Sequence, residues 1–240
     1  MNISSFLAGQ KEYFATSYEQ FEAFGGPCVY FHRECLRAAD TAFLSDRHIE
    51  TLYATLASWG MHRMGRTDKA KTKLTDWRRF SGSITANAER LQQFRSHKML
   101  DVAPDEYLDA VARLRPIWET LDLTEAGATI VVNSKALHHI LPEFIPPIDR
   151  QYTLRFLTQA PDRWRYESSK YRLISLPPGI DAQFQRFQQT CDELKRLADR
   201  VDPALFEEER RQHAVPAPKA LDNAIVNYVR IVDGKMTSAG

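Results

Sequence analysis

Asn133-Ser134-Lys135-Ala136-Leu137-His138-His139-Ile140-Leu141-Pro142-Glu143-Phe144-Ile145-Pro146-Pro147-Ile148-Asp149-Arg150 carries the most informative punctuation of the chain. It reads as a short helix, a proline-bounded turn and the start of a second helix. Ser134 or Asn133 can cap the first helix, which places Lys135 in its first turn. Pro142 ends that helix because it has no N–H to continue the ladder. Pro146 and Pro147 hold the adjoining residues extended. Asp149 then opens a helix running through Tyr152, Leu154, Phe156 and Leu157. A lysine and an aspartate thus stand at two helix starts, on either side of one tight connection.

On both sides of this stretch, nearly every periodic segment has the helical period. Phe14, Tyr18, Phe21 and Phe24 form one stripe that Gly25-Gly26-Pro27 stops. A second helix is expected over Cys28 to Asp40, and a third, capped by Ser45 or Asp46, carries Ile49, Leu52, Tyr53 and Leu56. Ser81-Gly82-Ser83 reads as a break between two helices. Tyr107, Val111, Leu114, Trp118 and Leu121 form a further stripe, which Pro116 should kink or break. Thr129 to Val132 is β-branched but too short to separate a strand from a buried helix, and it reads as buried helix or connector. Further helical stripes stand at Phe184, Phe187, Cys191, Leu194 and Ala198, and at Leu221, Ile225, Tyr228 and Val232. Without a convincing strand pair, the expected fold is all-α.

The stretch Ser134-Lys135-Ala136 with Pro147-Ile148-Asp149 beyond it resembles the catalytic segment of the helix-hairpin-helix DNA glycosylases. In that superfamily a lysine opens the helix after the hairpin, and a Pro-Val-Asp-like turn carries an essential aspartate. The Leu-Pro-Gly-Val-Gly hairpin itself is absent, Thr129-Ile130-Val131-Val132-Asn133 stands in its place, and the lysine-to-aspartate spacing is shorter. The motif-level likeness spans residues 133–150 and is architectural elsewhere. It implies one unit over residues 1–240, built of two interleaved helical lobes around an active-site cleft, with the catalytic segment at 129–157. The implied activity is flipping and excision of a modified base from duplex DNA, leaving an abasic site. In its chain size and its divergence from the usual central segment the chain resembles a branch of antiphage members acting on glucosylated hydroxymethylcytosine. Repair of oxidised or alkylated bases is the alternative within the family.

The chemistry asks for few groups. Breaking an N-glycosidic bond builds positive charge on the sugar, which a carboxylate below the ring stabilises. Asp149 is either that carboxylate or a plain helix cap, and a capping aspartate can keep one oxygen free. Lys135 either attacks the sugar carbon to form a Schiff base, for which its amine must be neutral, or binds phosphate. His138 and His139 share its helix, as proton-transfer groups or as satisfied core histidines. Ser134, Arg150 and Gln151 are expected to touch base or backbone. Trp59-Gly60-Met61-His62-Arg63-Met64-Gly65-Arg66 either lines a pocket and reaches into the duplex, or caps a helix at Gly60 with Trp59 and Met61 in the core.

Charge and composition bound the rest. The net charge is only +1, but Arg63, Arg66, Lys69, Lys71, Lys73, Arg78 and Arg79 stand against Asp68 and Asp76 alone. They read either as phosphate contacts or as a solvated face. Pro161-Asp162-Arg163-Trp164-Arg165-Tyr166-Glu167 reads as a basic-aromatic loop with the same two options. Hydrophobic residues make up 43% of 240, enough for a large core. No apolar run reaches membrane-spanning length, and no secretory signal is read at the N-terminus. Cys28, Cys35 and Cys191 suggest no disulfide framework and fit the cytoplasm. Cys28, His32 and Cys35 share a helix face without zinc spacing, and the family's four-cysteine cluster pattern is missing, so no metal or other cofactor is expected. The expected partner is double-stranded DNA, bound by a monomer. A non-catalytic nucleic-acid-binding module and a helical protein-interaction protein are the readings outside enzymes.

Overall fold

The computed structural model describes residues 2–22, 26–61, 74–125, 127–158, 164–168 and 171–237. Among the described residues the fold is helical apart from one small hairpin and an isolated bridge between Leu74 and Thr124. Thr129–Ile140 (here α10, in a chain order of fourteen helices among the described residues) is its central element. Ile130, Val131, Val132, Asn133, Ser134, Ala136, Leu137, His138, His139 and Ile140 are all buried. A helix buried on every side must be enclosed by others. Those neighbours are α4 (Gly26–Thr41), α5 (Asp46–Leu56) and α12 (Ile180–Ala198).

The β-branched run 129–132 is therefore helix, as expected, but it shifts the register of the residues after it. Because the helix starts at Thr129, Lys135 lies in its middle and not in its first turn, and neither Asn133 nor Ser134 is a cap. Both are fully buried. The helix stops at Ile140, with Pro142 just beyond.

Three short helices, α1 (Asn2–Ala8), α2 (Gln10–Ala15) and α3 (Ser17–Glu22), open the chain. The aromatic stripe expected as one helix is divided between α2 and α3 at Thr16; Phe24 lies outside the described residues. Asn227 supports that break, since its amide donates to Tyr13 O at 3.0 Å and to Thr16 Oγ1 at 2.6 Å. Asn227 belongs to the long α14 (Ala217–Thr237), which packs on α2 and α3 and on α11 (Thr153–Leu157). Phe6, Tyr13, Phe156 and Tyr228 lock these pieces together, with ring centroids 5.4 Å apart for Phe6–Phe156 and 5.1 Å for Tyr13–Tyr228.

Ser45 caps α5 by accepting His48 N. Ser81-Gly82-Ser83 does not interrupt a helix: it lies inside α6 (Trp77–Ala86), where Ser81 Oγ donates to Trp77 O at 2.8 Å. A serine that satisfies its hydroxyl on the preceding turn is tolerated in a helix. The break falls at Asn87, whose amide donates to Ser83 O at 2.8 Å, and α7 (Ala88–Gln92) comes next. Pro116 does divide its stripe, into α8 (Pro104–Ala112) and α9 (Arg115–Thr120). Trp118 is fully buried, stacked on Phe187 of α12 at 4.8 Å.

The segment read as a basic-aromatic loop forms a hairpin instead. Trp164–Ser168 (β1) and Tyr171–Ile174 (β2) pair antiparallel, Trp164 facing Ile174, with an irregularity between Tyr166 and Ser168. Between α12 and α14, α13 (Pro203–His213) starts on an Asp202 cap and packs on α14. No helix among the described residues is long and apolar enough to cross a membrane. One continuous hydrophobic cluster runs from Phe6 to Val229.

Candidate functional site

The turn after α10 is held at nearly every residue. Met99 N donates to Glu143 O at 2.8 Å, and Tyr107 OH to Phe144 O at 3.0 Å. His138 Nδ1 donates to Ile145 O at 2.8 Å, and Ile148 N to Ser134 Oγ at 3.1 Å. Ser134 and His138 thus grip the turn from the helix it leaves. Ser134 is buried, joins α10 to the residue before Asp149 and is not part of the cavity lining described below.

Asp149 combines the two roles open to it. Its Oδ1 accepts Gln151 N at 2.9 Å and Tyr152 N at 2.7 Å, an aspartate turn leading into α11. Its own N–H donates to Thr153 Oγ1 at 3.3 Å. Among the described residues nothing donates to Oδ2, which leaves one oxygen for another partner.

Asp149 and Lys135 line the same cavity, of about 330 Å³. Its walls come from parts of the chain far apart in sequence: Ser17 and Phe21 of α3, Cys28 of α4, Trp59, the Pro147–Tyr152 turn, and α14. Such a volume falls in the range of small-molecule pockets. Gly60, which is exposed, is part of the lining, so the cavity meets solvent there.

Trp59 is neither a core side chain nor free. Beyond α5 the backbone opens at Ala57–Met61, with Gly60 at φ +77. This is the left-handed turn that favours glycine at a helix end. Met61 turns into the core, while Trp59 is half-buried against the cavity. Its indole N–H donates to Cys28 O at 3.2 Å. His32 stacks on it at 5.7 Å and His139 meets it edge-on at 4.9 Å. Two ammonium groups lie near its ring, Lys135 Nζ at 5.5 Å and Lys219 Nζ at 5.2 Å from the centroid. Both are within the reach of cation–π attraction.

Behind Trp59 lies a cluster of neutral histidines. His139 Nδ1 faces Lys135 O at 2.7 Å, and a carbonyl can only accept, so Nδ1 carries the proton. His139 Nε2 is then an acceptor, and His32 Nδ1 donates to it at 2.9 Å. His48 Nδ1 accepts Leu44 N at 3.0 Å, leaving its Nε2–H to donate to His139 O at 3.3 Å. Burial holds His32 and His139 well below the usual imidazole range. It lowers His48 to about 4 and His138 to about 3. His138 does not line the cavity; its Nε2 is buried without a partner among the described residues. Cys28 Sγ donates to Ser58 O and Cys35 is buried, its thiol pushed up to about 12 by burial. The Cys28–His32–Cys35 face is therefore divided among separate neighbours.

The wall that the sequence reading missed is α14. Lys219, Asp222, Asn223 and Val226 recur at helical spacing and all line the cavity. Lys219 and Asp222 form a nearly buried ion pair at 2.7 Å. Asp222 Oδ1 also accepts Thr153 Oγ1 at 3.4 Å, which joins this pair to the Asp149 turn. Lys219 Nζ lies 4.8 Å from the Phe21 ring centroid. The clue in the sequence was the polar group Lys219, Asp222 and Asn223 at helical spacing beside an apolar stripe; Ala217, Ala220, Leu221, Ala224, Ile225, Tyr228 and Val229 are buried around them.

Other expected contact residues are distributed differently. Arg150 Nε donates to Ile174 O at 2.6 Å and Ile174 N to Arg150 O at 3.3 Å, so Arg150 ties β2 to the turn. Gln151 is half-buried with its amide on Tyr152 OH, and Tyr152 lines the cavity. Arg79 is taken up by Asp122, through two bonds, and by Glu125 at 3.0 Å. His62, Arg63, Arg66 and Arg163, with Lys69, Lys71 and Lys73, lie outside the described residues. Among the described residues no group of histidine, cysteine and carboxylate side chains has an arrangement to hold a metal ion. Comparison with protein-family models, curated proteins and solved structures finds no match to this chain.

Proposed function

We propose that the chain is a DNA glycosylase whose pocket is the cavity between α10 and α14. The observation that carries this reading is the convergence of Asp149 and Lys135 on one aromatic cavity, with Asp149 anchored through one oxygen and open at the other. A flipped base would enter beside Trp59, Phe21 and Tyr152, which offer ring faces for stacking. The cleft of this reading lies between α14 with α2 and α3 on one side and α10 with α4 and α5 on the other.

Asp149 Oδ2 stabilises the charge that develops on the sugar as the C1′–N bond breaks and its electron pair leaves with the base. It then orients a water, which adds to C1′ through its oxygen and passes its proton to Asp149 Oδ2, from which the departed base, holding the electron pair of the broken bond, takes it up. Lys135 would serve as nucleophile only if it attacks C1′ directly, forming a C1′–N bond as the base departs. Duplex binding falls in this reading to the basic segment Arg63–Lys73 and to Arg163.

The substrate we favour is a base enlarged by a polar substituent, such as glucosylated hydroxymethylcytosine. Two lysines, two aspartates and an asparagine in one cavity suit such a group better than a bare ring does. The test is Asp149→Asn, which keeps the turn geometry and removes the charge. Base release should fall by about a hundredfold or more while duplex binding survives. Unchanged release in this variant would sink the assignment. Salt-sensitive binding by wild type without any abasic product would favour a binding module instead.

A further inference from the structure

Asn223 lines the cavity with a buried amide nitrogen that no described residue engages. It is 4% exposed, yet its Nδ2 has no hydrogen-bond partner among the described residues. Every other polar side chain on the α14 wall is engaged: Lys219 holds Asp222, and Asp222 receives Thr153. A buried amide without partners is costly, because it has lost water and gained nothing in return. A carboxamide carries both a donor and an acceptor. Its last torsion is broad and roughly two-fold, so rotation about it can present either atom to a ligand.

We infer that Asn223 reads the hydrogen-bonding edge of the ligand, and that the ligand is a nucleobase. The inference rests on the glycosylase reading of the same cavity and adds the residue that selects within it. The chemistry is specific to a planar ring with a neighbouring donor and acceptor on its edge. The ring faces are met by Phe21, Trp59 and Tyr152, and the edge by the amide. Carboxamides pair with base edges through two parallel hydrogen bonds for this reason. An amide that is unpaired without ligand and paired with it discriminates strongly, since a ligand lacking the matching edge leaves it unpaired again.

The test uses the full chain and free nucleosides. Binding of deoxycytidine, thymidine, deoxyadenosine and deoxyguanosine is measured by ligand-observed NMR, with deoxyribose as the control lacking a base. The proteins are wild type, Asn223→Leu and Asn223→Asp. Wild type should bind at least one nucleoside and not deoxyribose. Asn223→Leu, of nearly the same shape, should weaken that binding by about tenfold or more. Its melting temperature should be unchanged or raised, because it removes an unsatisfied amide. Asn223→Asp keeps the size and loses the donor, so it should lose the same binding, which covers the case in which the leucine variant fails to fold. Equal nucleoside binding by both folded variants, or no nucleoside binding by wild type, overturns the inference. Asn223-dependent nucleoside binding with no base released from any DNA removes the glycosylase reading and leaves the nucleobase site standing.

Discussion

Acid should unfold this protein early, and the histidines behind Trp59 set where. His32, His48, His138 and His139 are buried and neutral in the folded state. In the unfolded chain each titrates at about 6.5. Below that pH the unfolded state binds a proton that the folded state refuses, so stability is fully present above about pH 6.5 and lost as pH falls. The window runs down to the folded values, about 4 for His48 and about 3 for His138. Each histidine contributes a slope of about 1.4 kcal/mol per pH unit, and the four together about 5. Glu193 and Glu209 act in the opposite sense, since burial raises their carboxyls and the folded state takes up their protons first. They are two against four, and they act closer to the carboxylate range. A domain of ordinary stability, roughly 5–15 kcal/mol, should then unfold one to three pH units below about 6.5. Urea melts at half-unit steps from neutral pH downward give the slope directly, and at about pH 5.5 unfolding should take up several protons. A flat stability profile between pH 7 and 5 would refute the neutral, buried assignment of the cluster.

Three further outcomes come from individual contacts. Ser134→Ala removes the acceptor for Ile148 N in a buried position, so it should destabilise by about 1–3 kcal/mol in chemical denaturation. It should also slow base release, because the turn carrying Asp149 loses the tie to α10 nearest that residue and keeps only the one from His138; release at the wild-type rate would mean that the His138 contact alone holds the turn. Gly60→Ala forces a β-carbon into a backbone at φ +77 and should cost about 1–2 kcal/mol, read as a lowered melting temperature. Trp118→Ala should cost about 3–5 kcal/mol, since the side chain is fully buried against Phe184 and Phe187; a loss below about 1 kcal/mol would contradict that packing.

How much of this structure is legible in the sequence depends on the range of the interactions. Helix existence is legible because the apolar stripes at Ile49–Leu56, Tyr107–Leu121 and Phe184–Ala198 are local patterns, and those residues are buried or nearly so. The pairing of Lys135 with Asp149 in one cavity is legible because both come from one short stretch. The start of the central helix is not, because the β-branched residues 129–132 carry no periodicity that separates helix from connector. Burial on all sides favours the helix, and only the neighbouring elements supply it. A break at Ser81–Gly82 is expected from residue types that often mark turns, yet the serine hydroxyl folds back on its own helix and the stop falls at Asn87. The hairpin at Trp164–Ile174 goes unread, and Arg150, expected to touch base or backbone, anchors it. The α14 wall is hidden because its apolar stripe draws attention to the opposite side of the helix. Lys219, Asp222 and Asn223 become a site only where Phe21, Trp59 and Asp149 arrive from elsewhere in the chain. The histidine cluster, too, is assembled from α4, α5 and α10 and has no local signature.

Whether this cavity excises a base is decided by incubating the pure protein with three kinds of duplex DNA and counting abasic sites, alongside Asp149→Asn. The three are unmodified DNA, DNA carrying glucosylated hydroxymethylcytosine, and DNA carrying oxidised or alkylated bases. Abasic sites on the DNA with the enlarged cytosine, absent from unmodified DNA and from the Asp149→Asn reaction, are the expected result. Release confined to oxidised or alkylated bases would keep the enzyme and change its substrate. Duplex binding with no abasic sites on any of these DNAs would contradict the glycosylase reading and leave Asp149 as a helix-capping residue.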